Sequence, residues 1–242
     1  EAIVRIENEI VKSKEFNLGA LKLGDEAVDG MIQMMLHNKK SNNIFFIAKS
    51  VAVNAKKMDL SPSETKEIIN RFFTLLGRVE KYDDVTVGWK LWADAGKLMG
   101  NPGKGYNDGF ITGLYNQLEH MDELRAARQK VKHLEECVDV DGVRRFNDIV
   151  LDTGRRVEVK NLAHYALSNR KTITKGLEKD LTQMLRGVTN AEEQIKKLKD
   201  INIVLRGRAD WDSKGAKDLV KEMRDVGKRL LNNPDRIDAW EF

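Results

Sequence analysis

Apolar positions recur at helical spacing through the first hundred residues. Ile3, Ile6, Ile10 and Phe16 fall on one stripe, and Val28, Met31, Ile32, Met35 and Leu36 on a second. SPSE at 61–64 predicts a helix start, with Ser61 as N-cap, Pro62 in the first turn and Glu64 closing a capping box. Ile68, Ile69, Phe72, Phe73 and Leu76 supply the apolar face of that helix. VGWKLWADAGKLMG predicts one more, with Trp89 and Trp92 as two core aromatics. GNPGKGYNDG at 100–109 packs four glycines and a proline into ten residues, which predicts a linker. The expected organisation is therefore an all-helical domain, 1–100, followed by a second domain, 101–242. The Gly-Lys pair in the linker is no phosphate loop, because the G-x-x-x-x-G-K-[ST] pattern is absent and no strand precedes it.

The second half changes period. A long amphipathic helix is predicted from Phe110 to Glu136 on Leu114, Leu118, Met121, Leu124, Val131 and Leu134. VRRFNDIVL and RRVEVK then alternate with period two and read as paired strands. Helical patterning returns over about 162–198, INIVLRGR at 201–208 is a third strand, and 215–231 a last helix. The fold class expected is α/β (α+β).

Composition narrows the picture. The chain has 242 residues, 41% apolar and 33% charged, and no run approaches the roughly 20 apolar residues that span a bilayer, so no stable membrane insertion is expected. Cys137 stands alone, which excludes a disulfide framework and a cysteine metal cage and predicts a buried structural thiol. His37, His120, His133 and His164 show no metal-ligand spacing. Residues 143–242 hold 22 Lys and Arg against 16 Asp and Glu, which more than accounts for the chain's formal charge of +4. A basic C-terminal part points to an anionic partner, nucleic acid first.

The most informative stretch is RRFNDIVLDTGRRVEVKNL at 144–162. Asp152-Thr153-Gly154 fits a three-residue hairpin loop with Gly154 in the left-handed position of a bulge. Such a loop pairs Leu151 with Arg155 and sets Asp148 opposite Glu158. Asp148, Val150, Arg156, Glu158 and Lys160 then share one face, and Ile149, Leu151, Val157 and Val159 the other. A two-residue Thr-Gly loop would instead put Asp148 opposite Val159. In the first register two carboxylates meet, and both stay ionised only with a cation between them. A divalent ion such as Mg²⁺ takes oxygen ligands of this kind together with phosphate oxygens. Lys160 on the same face would help deprotonate the attacking water or stabilise charge on a phosphorane. The competing reading is the polar, solvent-facing side of an ordinary hairpin with cross-strand ion pairs. On the residues alone both readings stand. Arg144, Arg145, Arg155 and Arg156 flank the hairpin as candidate phosphate contacts or as plain strand-end charges. Lys196, Lys197 and Lys199 read as a solvated helix face, and Asp180 as a surface group.

A strand bearing Asp148, a turn, a strand with Glu158-Val159-Lys160 and a following helix resembles the core motif of the PD-(D/E)xK nuclease superfamily. RRFNDIVL, VEVKN and LEKDL (Leu177–Leu181) resemble in particular the C-terminal nuclease domains of bacterial contact-dependent inhibition and polymorphic toxins. The resemblance covers about residues 108–208 and implies the order helix, hairpin, helix, strand, with a small mixed sheet flanked by helices. It implies that Asp148 and Glu158 bind a divalent metal (Mg²⁺, with Mn²⁺ or Zn²⁺ as alternatives) and that Lys160 assists the attack. It also implies a carboxylate from the preceding helix, where Glu119 is favoured over Gln117 and Glu123. A Gln expected one turn before the Asp-Leu step is replaced by Gly176.

The expected function is thus a metal-dependent nuclease toxin that hydrolyses DNA or RNA, tRNA included. It would be secreted as part of a larger bacterial protein, act in the target-cell cytoplasm, and be neutralised by a cognate immunity protein in the producer. Residues 1–100 would serve entry, and a chain without an initiator Met fits a piece of something longer. The alternatives are a nuclease of the same superfamily with no toxin role, and a non-enzymatic helical scaffold that binds nucleic acid or protein.

Overall fold

The computed structural model describes residues 25–37, 61–100, 108–140, 143–161, 170–185, 201–206, 214–231 and 237–239. The helix expected around Ile3 to Phe16, most of the 100–109 linker and Lys196–Lys199 lie outside them. The described chain is mixed α/β, with six helices and a mixed sheet. It divides into two compact units, Glu1–Leu118 and Glu119–Phe242, so the division falls inside a helix.

In the first unit, α1 (Asp25–His37) and α2 (Pro62–Glu80) are followed by a short extended segment, β1 (Thr86–Val87), and α3 (Trp89–Gly100). The capping box forms as patterned: Ser61 Oγ accepts from Glu64 N–H at 3.3 Å, and Glu64 Oε2 accepts from Ser61 N–H at 2.7 Å. Ile69, Phe72, Phe73 and Leu76 are buried along α2. Helices α1 and α2 meet through two glycines. A Cβ on Gly30 would lie 2.0 Å from the Phe73 carbonyl oxygen, and one on Gly77 would lie 1.9 Å from that of Glu26. Backbone touches backbone there, which only glycine permits.

That contact rotates α1 relative to the expected stripe. Ala27, Met31 and Met34 are buried, whereas Val28 is 44% exposed. Trp92 is buried but Trp89, at the first position of α3, is 52% exposed, so only one of the two tryptophans is a core residue.

Helix α4 (Asp108–Ala126) buries Leu114, Leu118, Met121 and Leu124 as expected, but it stops ten residues early. Arg128 takes a left-handed φ of 60°, and Val131–Val140 is a strand, β2. The sheet of the second unit continues with β3 (Val143–Leu151), β4 (Arg156–Asn161), β5 (Ile201–Arg206) and β6 (Ile237–Ala239) in chain order. The first two pairings are antiparallel and the last two parallel. Helix α5 (Arg170–Leu185) connects β4 to β5, and α6 (Lys214–Leu231) connects β5 to β6. Both crossovers thus carry a helix, as parallel strands require. Ile173, Leu177 and Leu181 of α5 join Leu219, Met223 and Val226 of α6 over Ile201, Ile203 and Leu205 of β5 in one core. Cys137 is a half-buried free thiol on β2 rather than a fully buried one.

Candidate functional site

The hairpin turn settles the register. Leu151 N–H donates to Arg155 O at 2.8 Å, Gly154 N–H donates to Leu151 O at 3.0 Å, and Gly154 has a φ of +83°. This is the three-residue loop, with glycine in the conformation that a Cβ disfavours. Ile149 pairs with Val157 and Val150 with Arg156, so the next position outward sets Asp148 opposite Glu158.

The two strands part at that level. In a continued ladder the Val159 N–H would face the carbonyl of Asn147. Instead it donates to Asp148 Oδ2 at 2.8 Å. The Asn147 side chain turns to the other neighbour and donates to Glu136 Oε2 at 2.8 Å. Strand β4 continues in parallel with β5 as far as Asn161 opposite Arg206. The carboxylates therefore stand where β3 leaves β4, while β4 stays paired with β5 on its other side. Lys160 Nζ lies 3.5 Å from Glu158 Oε2. Glu158 is buried, while Asp148 and Lys160 are half-buried.

Burial drives the Asp148 carboxyl well above the usual carboxylate range, and the nearby charges of Glu158 and Glu135 push the same way. Lys160 and the Val159 N–H oppose the shift without cancelling it. Asp148, Glu158 and Lys160 are thus one electrostatic group.

Glu135 is the residue that the sequence reading missed. The β2–β3 register runs from Leu134 opposite Ile149 to Glu136 opposite Asn147, which leaves Glu135 opposite Asp148. Glu135 is 9% exposed and has a φ of +52°, a left-handed conformation that costs a non-glycine residue of order 1 kcal/mol. Three neighbouring strands therefore each place a carboxylate at one level. The Glu-Glu doublet between Leu134 and Cys137 was the available signal, but a bulge disguised the strand that carries it.

Glu119 is half-buried on α4. One turn later Glu123 takes a hydrogen bond from Arg206, a fully buried residue of β5, and lies 3.1 Å from His120 Nδ1. In the β4–β5 register Glu158 pairs with Ile203 and Lys160 with Leu205, so Arg206 points to the opposite side of the sheet. Glu123 therefore lies across the sheet from Lys160. Glu135 is the third carboxylate acting on Asp148. Among the described residues, no three His, Cys, Asp or Glu side chains converge closely enough to hold a metal by themselves.

The four arginines separate into two pairs. Arg144 is exposed opposite Asp139, and Arg145 faces Val138 with its side chain outside the described residues. Arg155 and Arg156 are half-buried at the turn. Alternation puts Arg144 and Arg156 on the face of Asp148 and Glu158.

No family model matches, and neither does any curated protein or solved structure. Among the described residues, no helix is long and apolar enough to cross a membrane. An all-oxygen donor set of two facing carboxylates fits a hard divalent cation. Mg²⁺ in particular keeps several waters and uses one or two carboxylates together with substrate phosphates.

Proposed function

We propose that this chain is a metal-dependent nuclease that hydrolyses phosphodiester bonds of DNA or RNA. The observation that carries the reading is the opposition of Asp148 and Glu158 at the point where β3 and β4 part, with Lys160 on the same face. A merely solvated hairpin face has no reason to bury Glu158 or to drive the Asp148 carboxyl upward. The order α4, hairpin, α5, β5 also agrees with the PD-(D/E)xK resemblance, with β2 added at the hairpin's outer edge.

Asp148 and Glu158 would hold the divalent ion, whose role is to polarise the scissile phosphate and neutralise charge developing on it. The Val159 N–H fixes the Asp148 carboxylate and so orients its other oxygen. Lys160, held near Glu158, would supply an ammonium to offset negative charge accumulating on the attacked phosphate. The basic second unit favours approach of a polyanion.

The toxin context, with delivery from a larger secreted protein and a cognate immunity protein, is proposed on the wording RRFNDIVL, VEVKN and LEKDL. Purified protein incubated with duplex DNA and with tRNA in Mg²⁺, Mn²⁺ or Zn²⁺ should cleave at least one of them, and EDTA should stop it. Glu158→Ala and Lys160→Ala should each reduce cleavage by about 10²-fold or more. Cleavage unaffected by both substitutions would reject the site, and no cleavage of either substrate would favour a binding scaffold.

A further inference from the structure

The outer faces of α5 and α6 form a basic surface, and we infer that it binds the phosphate backbone of the nucleic-acid substrate beyond the cleavage site. This rests on the nuclease reading, because it names where that substrate runs. On α6, Lys214, Lys217, Lys221, Arg224 and Lys228 are all exposed. Spacings of three and four residues align them along one side of the helix, opposite Leu219, Met223 and Val226, which face the core. At 1.5 Å per residue the row is about 21 Å long. On α5, Lys171, Lys175 and Lys179 repeat every four residues and are exposed as well.

The acidic residues of these helices do not neutralise the row evenly. Glu222 accepts from Thr174 at 3.4 Å and Glu178 from Arg229 at 2.7 Å, so both join α5 to α6. Asp218 lies 3.8 Å from Lys214. Asp225 is exposed, and the side chains of Asp218 and Glu178 remain 43% exposed within their ion pairs. Lys214, Lys217, Lys221, Arg224 and Lys228 nevertheless form a row that is cationic at every position, and α6 as a whole holds six Lys and Arg against three Asp and Glu. A membrane-binding face would add large exposed apolar side chains, and neither helix has one among its described residues.

Position ties the surface to the site. Helices α5 and α6 cover Ile203 and Leu205, which share a sheet face with their partners Glu158 and Lys160. The basic row and the carboxylates therefore lie on the same side of the sheet.

The test is binding in EDTA, where no metal-dependent cleavage intervenes, with labelled duplex DNA and labelled tRNA over a salt series. Replacing Lys217, Lys221, Arg224 and Lys228 together by Ala should weaken binding at least about tenfold at low salt. The slope of log K against log salt should fall by about 2–4, since each lost phosphate contact removes close to one unit. Lys171→Ala/Lys175→Ala/Lys179→Ala should act in the same direction, which guards against a folding defect in one variant; melting curves should match the parent's. Unchanged affinity and slope in both variants, with metal-dependent cleavage retained, would overturn the surface and leave the nuclease reading standing. A parent that binds neither nucleic acid and cuts neither would remove both. A parent that binds anionic vesicles in preference to nucleic acid would overturn the surface in favour of a membrane.

Discussion

Asp148→Asn should abolish metal-dependent cleavage and, in the same molecule, stabilise the metal-free protein. The amide oxygen of the new side chain keeps an acceptor for the Val159 N–H that Asp148 now receives at 2.8 Å, so the backbone at the parting of β3 and β4 is preserved. What disappears is a charge held in a buried setting beside Glu158 and Glu135. In the proposed site, losing this ligand would forfeit several kcal/mol of transition-state charge stabilisation, or about 10³-fold in rate. Relief of the buried charge should raise the melting temperature by about 2–4 °C for each kcal/mol gained. The pH dependence carries a definite sign. The folded Asp148 carboxyl titrates above its unfolded value, so its contribution to stability is complete below the unfolded value. That contribution is lost as pH rises through the folded one. The stability difference between the Asp148→Asn variant and the parent should therefore open as pH rises toward neutral, and Mg²⁺ should stabilise the parent alone. Melting curves over pH, with and without metal, read both effects. A variant less stable than the parent at neutral pH would show that Asp148 is held by its partners rather than strained by them.

Gly77→Ala should destabilise the helical unit by about 3 kcal/mol, although alanine is normally the better helix former by about 1 kcal/mol. The reversal comes from the Glu26 carbonyl oxygen, 1.9 Å from the added Cβ, which is backbone and cannot rotate away. Helices α1 and α2 must separate, and Ile69, Phe72 and Phe73 lose their close packing. Gly113 and Gly176 are the internal controls. A Cβ at either meets nothing within 4 Å, so Ala there should stabilise by about 0.5–1 kcal/mol. Denaturant melts of the three variants would decide, and a stabilising Gly77→Ala would mean that α1 does not approach α2 in this way.

The hairpin was legible because its signals are local. Asp152-Thr153-Gly154 requires one loop geometry, the loop fixes the pairing, and the pairing brings Asp148 to Glu158. Strand β2 was illegible for an equally local reason. An extra residue between Val131 and His133 interrupts the alternation and keeps Val131 and Leu134 on the same sheet face. Apolar residues three apart then imitate a helix, and the stripe of α4 appeared to run on to Glu136. Glu135 was hidden with the strand. The rotation of α1 was invisible because it depends on a glycine contact 47 residues away in sequence, between Gly30 and Gly77, rather than on the helix's own pattern.

In the proposed nuclease, Asp148 and Glu158 act as one unit on one cation. A double-substitution cycle of metal-dependent cleavage tests it most directly, using Asp148→Asn, Glu158→Gln and the pair together, with Mn²⁺ and Mg²⁺. Residues that share a cation are strongly non-additive, so the pair should cost little more than either single substitution, each about 10³-fold. Losses that multiply across the pair, or cleavage that persists in all three proteins, would contradict a shared metal site at the parting of β3 and β4.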